Sequence, residues 1–165
     1  MVDEATFQHI KTYLLGQLSA RTLLLNMAAR RAQQPGYAYY MILLDGRMLG
    51  DGSGDLADYD GPAGEIVDRL NADPEVAARL ETLLRMGFEM RFGIYDEPWR
   101  RDLHLTLIQN EKADRRLRAE AHRDAGATTP WAAAAYDKQW QLYFNQHYAP
   151  DWEEWRAREP LVELP

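Results

Sequence analysis

His104 and Thr106 are the two residues whose types and spacing most directly suggest chemistry. They lie in segment 103–109, where leucines alternate with other residues, a pattern that predicts a strand. Residues two apart on a strand point to the same face, so the imidazole and the hydroxyl should be neighbours. An imidazole can act as a general acid or base, and a hydroxyl can donate a hydrogen bond to a phosphate oxygen.

The stretch His104-Leu-Thr-Leu107 resembles the His-x-Thr-x motif of the two-histidine phosphoesterases. The resemblance covers four residues, and that family uses two such motifs on strands that face one cleft, whereas this chain contains one. It implies an enzyme acting on phosphoesters, or a nucleotide-binding protein. In either case we expect Arg100 or Arg101, from the loop before this strand, to bind the phosphate. The structural alternative is the polar face of a half-buried strand, because short motifs also match by chance.

A segment rich in glycine and aspartate, residues 50–64, predicts a solvated loop. The quarter of the chain around it, from Pro35 to Asp73, has eight acidic residues against two arginines. Such a loop suits a basic partner surface, because complementary charge speeds and steers association. The residues expected to bind this partner are Asp51, Asp55, Asp58 and Asp60.

The same loop offers oxygen ligands at alternate positions, Asp51, Ser53 and Asp55, as a hard cation such as calcium prefers. An EF-hand loop beginning at Asp51 needs glycine at its sixth place and glutamate at its twelfth, where the sequence has Leu56 and Pro62. We therefore predict a loop without a metal. No other cofactor is predicted, because the chain has no cysteine, no zinc-binding histidine pair and no nucleotide-binding glycine loop.

The last 35 residues contain four of the five tryptophans. Two of them, Trp152 and Trp155, lie three apart on a short acidic helix predicted over 152–158. In one interpretation they clamp this helix to the body, because a short terminal helix needs anchoring to be ordered. In the other they form an aromatic patch with an acidic rim, a composition that suits a protein interface, and bind the partner.

Composition and charge exclude several classes of protein. A chain of 165 residues fits one domain, residues 1–165. The net charge of −7 argues against binding nucleic acid through bulk charge. The sequence shows no signal peptide and no apolar run long enough for a membrane span, so we expect a cytoplasmic protein that does not enter a membrane.

The elements that must position these residues begin with one long helix, predicted from Asp3 to Gln34. Its apolar residues occupy two sides, and a helix that is apolar all round is buried on both faces. Either it runs through the centre of the domain, or its second side contacts a second copy of the chain in a homodimer.

The remaining pattern predicts an α+β fold with a small, mostly antiparallel sheet packed by the long N-terminal helix and by C-terminal helices. The start and end signals are clearest for the helix 74–86, with Asp73 as its N-cap and Gly87 as its C-cap. The predicted strands are 37–44, 88–95 and 103–109, and the other predicted helices are 64–71, 111–124, 130–148 and 152–158.

Two functions follow from these observations. The first is a non-enzymatic intracellular protein-binding domain, of the inhibitor, immunity or adaptor type, which uses the acidic loop and the aromatic C-terminal region. It is favoured because no complete catalytic set of residues occurs in the sequence. The second is a phosphoesterase or nucleotide-binding protein centred on His104 and Thr106. A second histidine folded opposite His104 would favour the second function.

Overall fold

A computed structural model of the chain describes residues 2–33, 39–44, 63–97, 100–108 and 110–148. Within these ranges the chain forms helices and an antiparallel sheet, which confirms the predicted α+β class. None of the described helices is both long enough and apolar enough to cross a membrane. In chain order the elements are α1 (Glu4–Gln17), α2 (Ala20–Gln33), β1 (Tyr39–Leu44), α3 (Gly64–Ala72), α4 (Pro74–Met86), β2 (Glu89–Glu97), β3 (Arg100–Ile108), α5 (Glu111–Asp124) and α6 (Pro130–Tyr148).

The sheet has the strand order β1-β3-β2, and both pairs of strands are antiparallel. Strand β3 is therefore central and has a hydrogen-bonded neighbour on each side. The pairing of β2 with β3 runs from Glu89 opposite Ile108 to Glu97 opposite Arg100, which confirms the predicted antiparallel pair. The central position matters because β3 carries His104 and Thr106.

The two faces of the sheet differ, as the alternation in β3 predicts. Leu103, Leu105 and Leu107 are at most 1% exposed and belong to the hydrophobic core. The core is completed from β1 by Ile42 and Leu44 and from the helices by buried apolar residues, so this face of the sheet is packed by the helices. The outer face, defined by the residues that alternate with these, points away from the core cluster.

The prediction of one helix from Asp3 to Gln34 is wrong, because the chain breaks at Leu18 and Ser19 into α1 and α2. The break lets both apolar sides reach one core. Helix α1 buries Phe7, Ile10 and Leu14, and the residues that suggested a second apolar side, Ala20, Leu23, Leu24 and Met27, are buried in the core of the same chain. Of the residues on that second side, Tyr13 is exposed. The apolar side that we expected a homodimer to cover is therefore, apart from Tyr13, already buried within this chain.

Arg79 of α4 stabilises the break between α1 and α2. Its Nε and Nη2 donate hydrogen bonds to the Leu18 carbonyl at 2.9 and 2.7 Å. A carbonyl at a helix end has no partner within the helix, so the guanidinium supplies the missing donor. Nη1 of Arg79 also lies 2.6 Å from a carboxylate oxygen of Glu120 on α5. One side chain thus connects the end of α1 to α4 and α5.

The predicted caps of α4 are confirmed. The Asp73 carboxylate accepts hydrogen bonds from the backbone N–H groups of Glu75 and Val76 at 3.0 and 3.1 Å. Gly87 ends the helix with a φ of 111°, a left-handed conformation that favours glycine. The Lys11 ammonium lies 2.9 Å from the same Asp73 carboxylate, so this cap also joins α1 to α4.

Candidate functional site

The candidate site lies on the outer face of the sheet. The register brings His104 of β3 opposite Gly93 of β2, and Thr106 opposite Arg91. None of these residues belongs to the hydrophobic core. The other described members of this face, all outside the core cluster, are Tyr39, Met41, Ile108 and Glu89. Polar and charged side chains therefore concentrate on β3 and β2.

His104 and Thr106 are in contact, as their spacing predicts. Thr106 Oγ1 lies 3.1 Å from His104 Nδ1, which is a hydrogen-bond distance, and both side chains are half-buried. The direction of the bond depends on the tautomer: the hydroxyl donates to a bare Nδ1, or Nδ1–H donates to the hydroxyl oxygen. The contact fixes the imidazole ring relative to the strand.

Gly93 provides the space that the His104 ring occupies. A Cβ atom at position 93 would lie 2.8 Å from Cε1 and 3.2 Å from Nε2 of His104. Such a contact is too close, so any residue with a side chain at position 93 would displace the ring. Sequence reasoning did not single out Gly93, although a glycine inside a strand often marks a close approach of another group.

Arg91 is the functional candidate that sequence reasoning missed. It faces Thr106 across the strand pair, two residues from Gly93, and its side chain is exposed. None of the ion pairs within the described residues includes Arg91. The signal that identifies it is the strand register, which the sequence did not provide.

The predicted phosphate-binding arginines, Arg100 and Arg101, lie elsewhere than expected. They belong to strand β3 itself rather than to a preceding loop. In the register of β2 with β3, their backbones lie opposite Glu97 and Asp96. Arg100 is four residues from His104, about 13 Å along an extended strand.

A second histidine does not face His104 within the described side chains. His9 is exposed on α1, and Nε2 of His122 on α5 lies 2.7 Å from Asp137 Oδ1 on α6. The side chain of His147 lies outside the described residues. The paired arrangement of the two-histidine phosphoesterases is thus not formed in this part of the chain.

His122 belongs to a polar junction between α5 and α6. Arg118 Nη1 lies 3.5 Å from Asp137 Oδ1, so Arg118 also connects the two helices. The His122 and Tyr136 rings meet edge to face at 5.3 Å, and burial raises the pKa of the Tyr136 hydroxyl. The Arg118 guanidinium lies 5.3 Å from the Trp140 ring. These contacts hold the two helices together.

The predicted acidic and aromatic site residues lie outside the described residues. They are Asp51, Ser53, Asp55, Asp58, Asp60, Trp152 and Trp155. In the part of the chain that the structure describes, no three His, Asp or Glu residues form a group that could hold a metal ion.

Comparisons with known proteins add no family to this description. No family model matches the chain, and searches of curated proteins and of solved structures find no match. The function must therefore be argued from the residues themselves.

Proposed function

We propose that this chain is a non-enzymatic protein-binding domain, of the inhibitor, immunity or adaptor type, which binds a basic partner protein. The binding elements are two acidic segments, residues 45–62 and 149–165, which contain Asp51, Asp55, Asp58, Asp60, Trp152 and Trp155. The proposal is supported above all by how charge is distributed along the chain.

The two segments carry net charges of −4 and −3, while the rest of the chain has equal numbers of acidic and basic residues, unevenly distributed. Residues 2–33, 39–44, 63–97, 100–108 and 110–148 together contain 16 acidic residues and 16 lysines and arginines, so their charges cancel. Segment 45–62 carries five acids and one arginine, and segment 149–165 carries five acids and two arginines. A negative field of this kind steers association with a positive surface.

Several charges in the helical layer have partners within the chain. Arg79 pairs with Glu120, Arg118 with Asp137, and Arg69 with Glu4. These pairs link different elements and therefore contribute to folding. By contrast, an excess of acids in one segment repels itself, and a partner of opposite charge would relieve that repulsion.

The test compares three baits for the amount of partner each one captures from the cells that make the protein. The first bait is the wild type. The second neutralises the loop with the substitutions Asp51→Asn, Asp55→Asn, Asp58→Asn and Asp60→Asn. The third is the matched control and neutralises four exposed acids of the helices with Asp68→Asn, Glu75→Gln, Glu111→Gln and Asp124→Asn.

We expect a stoichiometric basic partner on the wild type and on the control, and at least about tenfold less on the loop variant at low salt. No stoichiometric partner, or equal loss on the two variants, would contradict the proposal. Trp152→Ala with Trp155→Ala then distinguishes the two roles of the tryptophans. A clamp lowers the free energy of unfolding, whereas an interface residue lowers capture alone.

The second candidate function, a phosphoesterase or nucleotide-binding protein centred on His104 and Thr106, is favoured by the 3.1 Å contact between these residues. Among the described side chains, however, no second histidine faces His104. The test is hydrolysis of a simple phosphodiester by the pure protein. Activity that disappears in His104→Ala would establish the phosphoesterase, and no activity in the wild type would contradict it.

A further inference from the structure

We propose that Arg91, Thr106 and His104 form a binding site for an oxyanion group, the phosphate or the carboxylate of a ligand, on the outer face of the sheet. The juxtaposition that carries this proposal is Arg91 in register with Thr106, Thr106 in contact with His104, and the His104 ring lying over Gly93, the neighbour of Arg91 on that face. The site consists only of residues of β2 and β3.

Arg91 supplies the charge. In an antiparallel pair, the Cβ atoms of directly opposed residues lie about 4.5–5.5 Å apart, so the stems of Arg91 and Thr106 start side by side. A guanidinium is always protonated and presents a planar fork of donors that matches carboxylate and phosphate oxygens. Because Arg91 is exposed and takes part in none of the ion pairs described above, its fork is available to a ligand.

Thr106 supplies a neutral donor, and His104 decides where that donor points. When Nδ1 carries the proton, it donates to Thr106 Oγ1, and the hydroxyl hydrogen turns to another acceptor. When Nδ1 is bare, the hydroxyl donates to the ring, and a bound anion would meet only lone pairs. His104 is therefore a positioning residue, and an anion at this site favours the tautomer with Nδ1 protonated.

Gly93 and Glu89 set the limits of the site along β2. Gly93 lies two residues after Arg91 on the same face, and because it has no side chain the His104 ring lies over it, next to Arg91. Glu89 lies two residues before Arg91, and its carboxylate disfavours an anion on that side. The ligand group is thus expected between Arg91 and the His104 ring.

The experiment titrates wild-type protein with inorganic phosphate and, separately, with acetate at constant ionic strength, followed by NMR. We expect saturable shifts of the Arg91 Nε–H and of Thr106, together with a shift of the His104 ring nitrogens toward the Nδ1-protonated form. Saturation at lower phosphate concentration identifies a phosphate-bearing ligand, and saturation at lower acetate concentration identifies a carboxylate. Failure to saturate with either anion would overturn the proposal.

Variants separate the site from nonspecific charge. Arg91→Gln and Thr106→Val should each weaken binding, Arg91→Gln by about tenfold or more, because it removes charge-assisted hydrogen bonds. Arg123→Gln removes another exposed arginine and should leave binding unchanged. Equal weakening in Arg123→Gln, or no weakening in Arg91→Gln, would overturn the assignment.

Gly93→Ala tests the positioning role of His104. The added Cβ displaces the ring, so we expect weaker binding and no change of His104 tautomer on adding the anion, with the chain still folded. A tautomer response like that of the wild type would contradict the role of His104. Neither result bears on the capture of a basic partner, so the two proposals fail separately.

Discussion

The two faces of the sheet are made from the same three strands but from different kinds of residue. On the core face of β3, Leu103, Leu105 and Leu107 are at most 1% exposed and pack against the helices. On the outer face, His104 and Thr106 contact each other and lie beside residues of β2 that are charged or lack a side chain. We therefore expect the core face to specify the fold and the outer face to accept changes in its chemistry with little effect on folding.

The largest loss of stability is expected at Leu105, on the core face. Leu105→Ala leaves a cavity in the interior and should lower the free energy of unfolding by about 2–5 kcal/mol. Urea unfolding followed by circular dichroism measures the change. A loss below about 1 kcal/mol would mean that the core face can relax around the cavity. The core face would then not differ from the outer face in its effect on stability.

The next largest effect is expected at Arg79, which holds the helices that cover the core face. Arg79→Met removes the ion pair to Glu120 and the donors to the Leu18 carbonyl, and should lower the free energy of unfolding by about 1–3 kcal/mol. The control is Arg85→Met, which removes an exposed pair with Glu81 and should cost less than about 1 kcal/mol. Equal losses in the two variants would contradict the role of Arg79.

A smaller effect, seen only in acid, is expected at Asp73. The hydrogen bond from the Lys11 ammonium, together with those from the backbone N–H groups of Val76 and Glu75, lowers the pKa of the Asp73 carboxyl below its ordinary value of 3.8. The folded state therefore gains stability from the ionised carboxylate above pH 3.8, and loses it as the pH falls through the lowered pKa.

Asp73→Asn keeps a capping oxygen but has no carboxyl group to titrate. Its free energy of unfolding should therefore fall less steeply below pH 3.8 than that of the wild type, measured by urea unfolding at several pH values. Asp124→Asn, at the end of α5, serves as the control and should follow the wild type. Parallel curves for Asp73→Asn and the wild type would contradict the effect.

The smallest effect on stability is expected from Gly93→Ala on the outer face. The substitution displaces the His104 ring but touches no core residue, so the free energy of unfolding should change by less than about 1 kcal/mol. NMR should show that the contact between His104 and Thr106 is lost. A large destabilisation would mean that the outer face also specifies the fold.

Local signals made much of the fold predictable from the sequence. The alternation of Leu103, Leu105 and Leu107 identified the core face of β3, and Asp73 and Gly87 marked the ends of α4. Each of these signals is contained in a few consecutive residues. The contact between His104 and Thr106 was predictable for the same reason, because it depends only on the two-residue period of a strand.

The features that were missed depend on residues far apart in the chain. The break after α1 is stabilised by Arg79, 61 residues after Leu18, so the local apolar pattern continued through it as one helix. Arg91 joins Thr106 through strand register, which a single sequence does not fix. The contact of His122 with Asp137 likewise requires the packing of two helices.

Adjacent residues of β3 thus separate folding from binding, since Leu105 belongs to the core and Thr106 to the proposed anion site. The most direct test is the free energy of unfolding of Thr106→Val, measured beside Leu105→Ala in the same urea titrations. We predict that Thr106→Val lowers it by about 1 kcal/mol, because the hydrogen bond to His104 is lost but no core contact is, whereas Leu105→Ala lowers it by about 2–5 kcal/mol. Equal destabilisation by the two substitutions would contradict the account.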